Sequence, residues 1–332
     1  MERAESGRKM TRKKIIPFVF ILLLFIPAYI FLNRDDIFTP AKSSGPYEIS
    51  VICRGKSSES WNTVKLGIDQ AAKDFNADVS FITLSKNNSV SEQISLLSRE
   101  IKNGADGIVI APVNSDELKK PLEQTAKKVP VIAMQSTVAG MDGLRTVSCD
   151  NYRMGRSLAA ELVKKRTGEP VVILQGSTGS SAAAESLRGV CDGLKQAGRA
   201  FSTFDMPNDG AASYQAVRQE ISKKAGTVFV ALDGETLETA ARAKKDLGKL
   251  SESESPLYGI GITNTGVSLL EEKIISAVAV DNEYNIGYFC IKSAVDSINH
   301  QDDGNIDVDF LIVNHSNMYD TESEHMLFPF VR

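Results

Sequence analysis

The sequence predicts an α/β protein of two lobes, each a parallel sheet covered by helices on both faces, preceded by one N-terminal transmembrane helix. Three observations support the lobes. Short apolar runs such as VVILQ (Val171–Gln175) are continuous rather than alternating, as in strands buried on both faces, and amphipathic stretches separate them. The chain has 332 residues, about two domains. The pairs DGIVIAPVNSDEL…VPVIAMQ and GTVFVALDGETL…LYGIGIT repeat one strand–helix–strand plan in the two halves.

The N-terminus comes first. Residues 1–14 are basic, with Arg8, Lys9, Arg12, Lys13 and Lys14 crowded before an uncharged apolar run from Ile15 to Leu32. As a helix this run is about 27 Å long at about 1.5 Å per residue, enough for one thin span. The basic flank places the N-terminus in the cytoplasm and the rest outside. A cleaved signal peptide and an uncleaved signal anchor are the two readings. The long core, the following Asn33-Arg34-Asp35-Asp36 and the poor cleavage site Thr39-Pro40-Ala41 favour the anchor. The first cysteine is Cys53, too far from the run for a lipid anchor. The expectation is a single-pass protein of the cell membrane, its globular part extracytoplasmic, joined by a polar linker over 33–45.

The first lobe opens with the strand YEISVIC (Tyr47–Cys53), a loop RGKSSESW and a helix over Asn62–Phe75, with Val64, Ile68, Ala71, Ala72 and Phe75 near helical spacing. DVSFITL (Asp78–Leu84) is the second strand. SVSEQISLLSREIKNG is an amphipathic helix starting near Ser91 and stopped by Gly104. DGIVIAPV is a strand, SDELKKPLEQTAKK a helix capped by Ser115, and VPVIAMQ and RTVSCD two more strands. A helix beginning at Asp150-Asn151 follows.

The second lobe runs VVILQ, a Gly/Ser-rich loop, helix Ser181–Gln196, strand AFSTFDM, helix Ser213–Ala225, strand TVFVALD, helix Glu235–Leu247, and strands LYGIGIT and ISAVAVD. NEYNIGYFCIKSAVDSINH is a helix with a dense apolar face, and DVDFLIV (Asp307–Val313) follows it.

DNYRMGR, followed at this spacing by VVILQGSTGSSAAAESLRGV, resembles the type I periplasmic binding proteins, and within them the ribose-binding branch, which shares its fold with the ligand domain of lactose-repressor-type regulators. The likeness runs with gaps from about Tyr47 to about Val313. It implies two Rossmann-like lobes joined by a three-segment hinge near Asp150, Asp281 and Phe310. The first lobe would be 46–149 plus 282–309, the second 150–281 plus 310–320, and 321–332 a C-terminal tail.

Signals for catalysis are missing. There is no GxxxxGK[ST], no HExxH and no GxSxG elbow with a plausible histidine partner, and GIGITNTG is not GxGxxG. No cofactor is implied, and an enzyme is not expected. Cys53, Cys149, Cys191 and Cys290 form no CxxC pair or metal cluster and read as structural thiols, with a disulfide left open outside the cell. Asp302, Asp303, Asn305, Asp307 and Asp309 have the wrong order for an EF-hand and read as a solvated turn, so no metal is expected. A net charge of −4 offers no footprint for nucleic acid, and a membrane span stands where a regulator would carry a DNA-binding motif.

Binding candidates are polar or aromatic residues at strand ends, where open α/β sheets collect ligands. The only tryptophan, Trp61, follows the loop holding Ser58, and the resemblance places it at a stacking position. Gln135 and Ser136 stand where relatives carry an Asp-Arg pair, and Ser186 where many carry an arginine. Asp233 matches a ligand-binding aspartate, with a helix cap as the plain alternative. Asn264 and Asp281 take two further contact positions. Asp233 and Asp281, with Glu59, would make the cleft acidic. The expected function is binding of a small polar, sugar-like ligand for import through an ABC permease, with signalling to a membrane histidine kinase as the alternative.

Overall fold

A computed structural model of the chain describes residues 45–328, except 56–60, 142, 166–167, 177–178, 208–209, 225, 249–253 and 302–303. Two six-stranded sheets form its framework. The first holds β1 (Tyr47–Ile52), β2 (Ala77–Ile82), β3 (Gly107–Ile110), β4 (Val131–Met134), β5 (Arg145–Cys149) and β11 (Ile306–Val308). Its order is β2-β1-β3-β4-β5-β11, all parallel. The second holds β6 (Val171–Gln175), β7 (Phe201–Asp205), β8 (Val228–Ala231), β9 (Leu257–Ile260), β10 (Ala277–Asp281) and β12 (Phe310–Val313). Its order is β7-β6-β8-β9-β10-β12, with β12 alone antiparallel.

Composition follows position. The inner strands GIVI, VIAM, VFVA and LYGI are buried at every residue, as sheets covered on both faces require. The edge strand FSTFD has no buried residue. In each sheet the order reverses between the first and third strands, so a crevice opens at the strands' carboxyl ends between β1 and β3 and between β6 and β8. The counterpart segments found in the sequence, β3–β4 and β8–β9, hold the same rank in the two sheets.

The helices are α1 (Asn62–Asp74), α2 (Val90–Asn103), α3 (Lys119–Ala126), α4 (Asn151–Lys165), α5 (Ser181–Gln196), α6 (Gly210–Lys223), α7 (Gly234–Asp246), α8 (Asn264–Glu271), α9 (Glu283–Ile298) and α10 (Thr321–Leu327). In each lobe, two of them touch backbone to backbone at glycines. A β-carbon on Gly67 of α1 would lie 1.9 Å from the Tyr284 carbonyl oxygen of α9, and one on Gly287 2.0 Å from that of Val64. Gly155 of α4 and Gly189 of α5 face each other likewise, 2.4 Å from Ser186 O and 2.2 Å from Tyr152 O.

The chain passes from the first sheet to the second after Cys149, returns after Asp281, and passes again between Val308 and Phe310. At this waist Asp281 pairs with Phe310, and Asn282 N donates to Asp309 O at 3.2 Å. The stretch Asp307–Val313, where a third crossing was expected near Phe310, is two strands in different sheets, parted at Asp309.

A buried glutamine ties the first crevice together. Gln93 on α2 is fully buried, and its Nε2 donates to Cys53 O (3.0 Å) and Ala111 O (2.8 Å) while its Oε1 accepts from Val113 N (3.0 Å). One side chain therefore joins the ends of β1 and β3. Gln93→Leu would strand three buried backbone groups and should cost about 3 kcal/mol or more. A urea midpoint equal to the wild type's would contradict this.

Several local expectations are corrected. Helix α2 ends at Gly104 as expected, at φ +93°, and its cap is Ser89, which accepts from Glu92 N. Ser115 does not cap α3, which starts only at Lys119; its hydroxyl donates to Thr137 O at 2.8 Å. Helix α8 between β9 and β10 was not expected. The segment from 321, set apart as a tail, forms α10, which buries Leu327 in the second lobe's core, while Phe328 stacks on Tyr319.

The four cysteines are free thiols. Burial pushes the Cys53 thiol up to about 12, against the nearby Arg54, and raises those of Cys149, Cys191 and Cys290. Among the described residues no His/Cys/Asp/Glu group could hold a metal ion.

The membrane assignment is also corrected. The run 15–32 lies outside the described residues, and no helix among them is long and apolar enough to cross a membrane. The longest, α5 and α9, have 16 residues, about 24 Å at about 1.5 Å per residue, and both carry charges. The described residues form two α/β lobes and contain no transmembrane helix, so the expected signal anchor and single-pass location have no support among them.

Candidate functional site

The carboxyl ends of both sheets open on one cavity of ≈ 310 Å³, within the range of small-molecule sites. The loop after β1 contributes Arg54 and Trp61; the turn after β4 contributes Gln135; the start of α4 contributes Asn151. From the second sheet come Gln175, Asp233 and Asp281, with Ser186 from α5 and Glu283 from α9.

Arg54 organises the first-lobe side. Its Nη2 donates to Gln135 Oε1 at 2.8 Å, and its guanidinium carbon lies 5.8 Å from the Trp61 ring centre. Its Nη1 is buried without a hydrogen-bond partner among the described residues. Burial disfavours the charge, and Asp233, Asp281 and Glu283 oppose that loss. Gln135 sits at φ +64°, a left-handed conformation uncommon outside glycine, which turns the chain sharply after β4. Its N–H donates to Val147 O at 2.8 Å, which fixes the turn to the end of β5.

The second-lobe side is acidic. Asp233 caps α7: Oδ1 accepts from Thr236 N and Oδ2 from Thr236 Oγ1, both at 2.8 Å. A β-carbon on Gly176 would stand 2.5 Å from Asp233 Oδ2, so the first glycine of GSTGSS makes room for this carboxylate. Asp281 ends β10, and burial raises its pKa while its own backbone N–H and Arg54 lower it. Glu283 is raised well above the usual carboxylate range by burial first and Asp281 second, against Arg54. Neither carboxylate accepts a hydrogen bond from another side chain among the described residues.

A set of hydrogen bonds spans the two lobes beside the cavity. Ser115 N donates to Gly179 O (3.0 Å), Ser181 N to Ser115 Oγ (3.0 Å), and Thr137 N to Ser181 Oγ (2.7 Å). A β-carbon on Gly179 would come within 2.7 Å of Val113 O, so glycine permits this approach.

The structure brings five of the expected residues to the cavity: Trp61, Gln135, Ser186, Asp233 and Asp281. Trp61 is also core, at 7% exposure and packed with the first lobe's apolar cluster. Ser136 is buried away from the cavity lining with its Oγ unpartnered, and Asn264 is exposed at the start of α8. Ser58 and Glu59 lie outside the described residues. Asp150 caps α4 by accepting from Arg153 N at 2.8 Å, and Phe310 carries the Arg153 guanidinium 5.7 Å from its ring centre. Arg54, Asn151 and Glu283 were missed. The strand-end rule points to Arg54, the first residue after YEISVIC, and to Glu283, two residues beyond Asp281.

The family profile of the periplasmic binding protein domain matches residues 49–302. The chain belongs to this family. Its members bind solutes without transforming them, and the two-lobed arrangement is the type I periplasmic binding fold. The chain is 23% identical over 172 residues to the D-allose-binding periplasmic protein of Escherichia coli, covering 49% of this chain and 55% of that protein. It thus spans about half the length of that relative. A carbohydrate transporter solute-binding protein from Agrobacterium radiobacter, solved with D-arabinose, superposes with a TM-score of 0.79 at 22% identity, over 86% of this chain and all of that one. The Caulobacter myo-inositol binding protein, solved with myo-inositol, gives 0.75 at 21% identity, over 87% of this chain and all of that one. At these identities the superpositions establish the shared fold.

Proposed function

We propose that this periplasmic binding protein is an extracytoplasmic receptor for a sugar or sugar-like molecule, which it delivers to an ABC-type permease. The observation behind this reading is the cavity shared by the two lobes, with hydrogen-bonding groups from both and one tryptophan at its edge. Oriented polar groups beside an aromatic plane suit a molecule with hydroxyls around a C–H face. The named relatives bind allose, arabinose and myo-inositol. The sensor-kinase alternative rested on a permanent membrane anchor and loses its support with it.

The mechanism is closure. Three chain crossings at Asp150, Asp281 and Asp309–Phe310 serve as the hinge, Trp61 and Gln135 contact the ligand from the first lobe, and Asp233, Asp281 and Ser186 contact it from the second. A ligand touching both lobes favours the closed state by its differential affinity. The permease then receives a closed, loaded receptor.

Thermal unfolding of the full chain with D-allose, D-arabinose, xylitol, myo-inositol, ribose and galactose tests the binding step. A ligand at 100 times its dissociation constant adds about 2.7 kcal/mol, so a midpoint rise of several degrees is expected from at least one. A flat response across the set would overturn the sugar reading. Unchanged uptake of the bound sugar after gene deletion would overturn the delivery step.

A further inference from the structure

The cavity lacks the arginine and the Asp-Arg pair that the resemblance led one to expect after β4 and on α5, where Gln135, Ser136 and Ser186 stand instead. Yet it contains an arginine, delivered from a different strand. Arg54 leaves the end of β1, lines the cavity, and is held in place by Gln135 Oε1 and the Trp61 ring. Holding it this way uses Nη2 and leaves Nη1 buried with no partner among the described residues. An unmatched buried donor on a charged group is costly, and structures keep one where something else completes it.

The surroundings define what completes it. Asp233, Asp281 and Glu283 all act on Arg54 electrostatically. An anionic ligand would bring a further negative charge among these three carboxyls. A cationic one would meet the guanidinium already beside Trp61. A neutral polyhydroxyl molecule meets neither obstacle: its oxygens accept from Arg54, and its hydroxyls donate to Asp281 and Glu283, whose carboxyls have no side-chain donor among the described residues.

We propose that Arg54 is the ligand-gripping residue of this cleft, donating through Nη1 to an oxygen of a neutral polyol or sugar, and that with the Asp281–Glu283 pair it excludes acidic and amino derivatives. This rests on the sugar-receptor reading above and names the chemistry of the same site. The forked, planar guanidinium matters as well as its charge, because lysine offers a point charge without the fork that Gln135 and the ligand would share.

The test is calorimetric titration of the full chain with matched sets: D-galactose, D-galacturonate and D-galactosamine, together with D-arabinose and myo-inositol. Wild-type protein should bind a neutral member at least about 10-fold more tightly than its acid or amine. Arg54→Gln should weaken that binding by about 10- to 100-fold, as expected for a lost hydrogen bond to a charged group. It should also shift the relative preference toward galactosamine, because the three carboxyls are then unopposed. If Arg54→Gln does not fold, Arg54→Lys decides, since it keeps the charge and loses the fork; wild-type affinity in that variant would overturn the proposal. Neutral sugars bound equally by wild type and both variants would overturn the role of Arg54 and leave the receptor reading standing. A wild-type preference for the acid or amine would overturn the ligand class. No binding by any member would overturn both readings.

Discussion

Gly287→Ala should lower the thermal midpoint by about 10 °C. The added methyl would sit 2.0 Å from Val64 O and 3.1 Å from Ile68 N, main-chain atoms of α1 that cannot rotate away. The helices must separate instead. Overpacked cores lose about 1–3 kcal/mol, occasionally more, and backbone against backbone places this case at the top, about 3 kcal/mol. At about 2–4 °C per kcal/mol for a domain of this size, the expected fall follows. Gly67→Ala should behave alike, its methyl 1.9 Å from Tyr284 O. Gly210→Ala is the control: nothing lies within 4 Å of its β-carbon, so its midpoint should hold. A Gly287→Ala midpoint within 2 °C of wild type would show that the two helices have slack.

Trp61→Ala should destabilise the protein by about 3–5 kcal/mol, the range for large aromatic side chains removed from cores. Trp61 is 7% exposed, belongs to the first lobe's apolar cluster, and backs the Arg54 guanidinium. The loss of ligand affinity in that variant therefore mixes two causes. Trp61→Phe separates them by keeping most of the buried area while shrinking the plane. It should retain most of the stability and still bind the ligand more weakly, measured by urea unfolding beside titration with the sugar found in the panel. Wild-type affinity in Trp61→Phe would reduce Trp61 to a core residue.

Much of this fold is legible because buried parallel strands are written as unbroken apolar runs. VVILQ and TVFVALD could be placed from their residues alone, and the strand-end rule then led to Asp233 and Asp281. What escaped was set by contacts distant in sequence. Ser115, expected to cap α3, instead bonds Thr137, Gly179 and Ser181, none of them near it in the chain. Within DVDFLIV the crossing near Phe310 came from the family resemblance and not from the residues themselves, and the two sheets place it at Asp309. Arg54 escaped because a charged residue beside a Ser-rich loop looks solvated; what draws it inward is Gln135, 81 positions away. The apolar run at 15–32 gave the strongest single sequence signal for a membrane helix, and none of the described helices answers to it.

The matched glycine pairs differ in when the ribosome can complete them. In the second lobe α4 ends at Lys165 and α5 starts at Ser181, so Gly155 and Gly189 meet soon after they are made. In the first lobe α1 ends at Asp74, and its partner α9 starts only at Glu283. At about 5–20 residues per second, α1 waits roughly 10–40 s for that partner during translation. Val64 and Ile68, whose main-chain atoms pack on Gly287 in the finished protein, lack that neighbour until then. The lobe begun first thus waits for its partner helix while all but the last strand and helix of the second lobe are built.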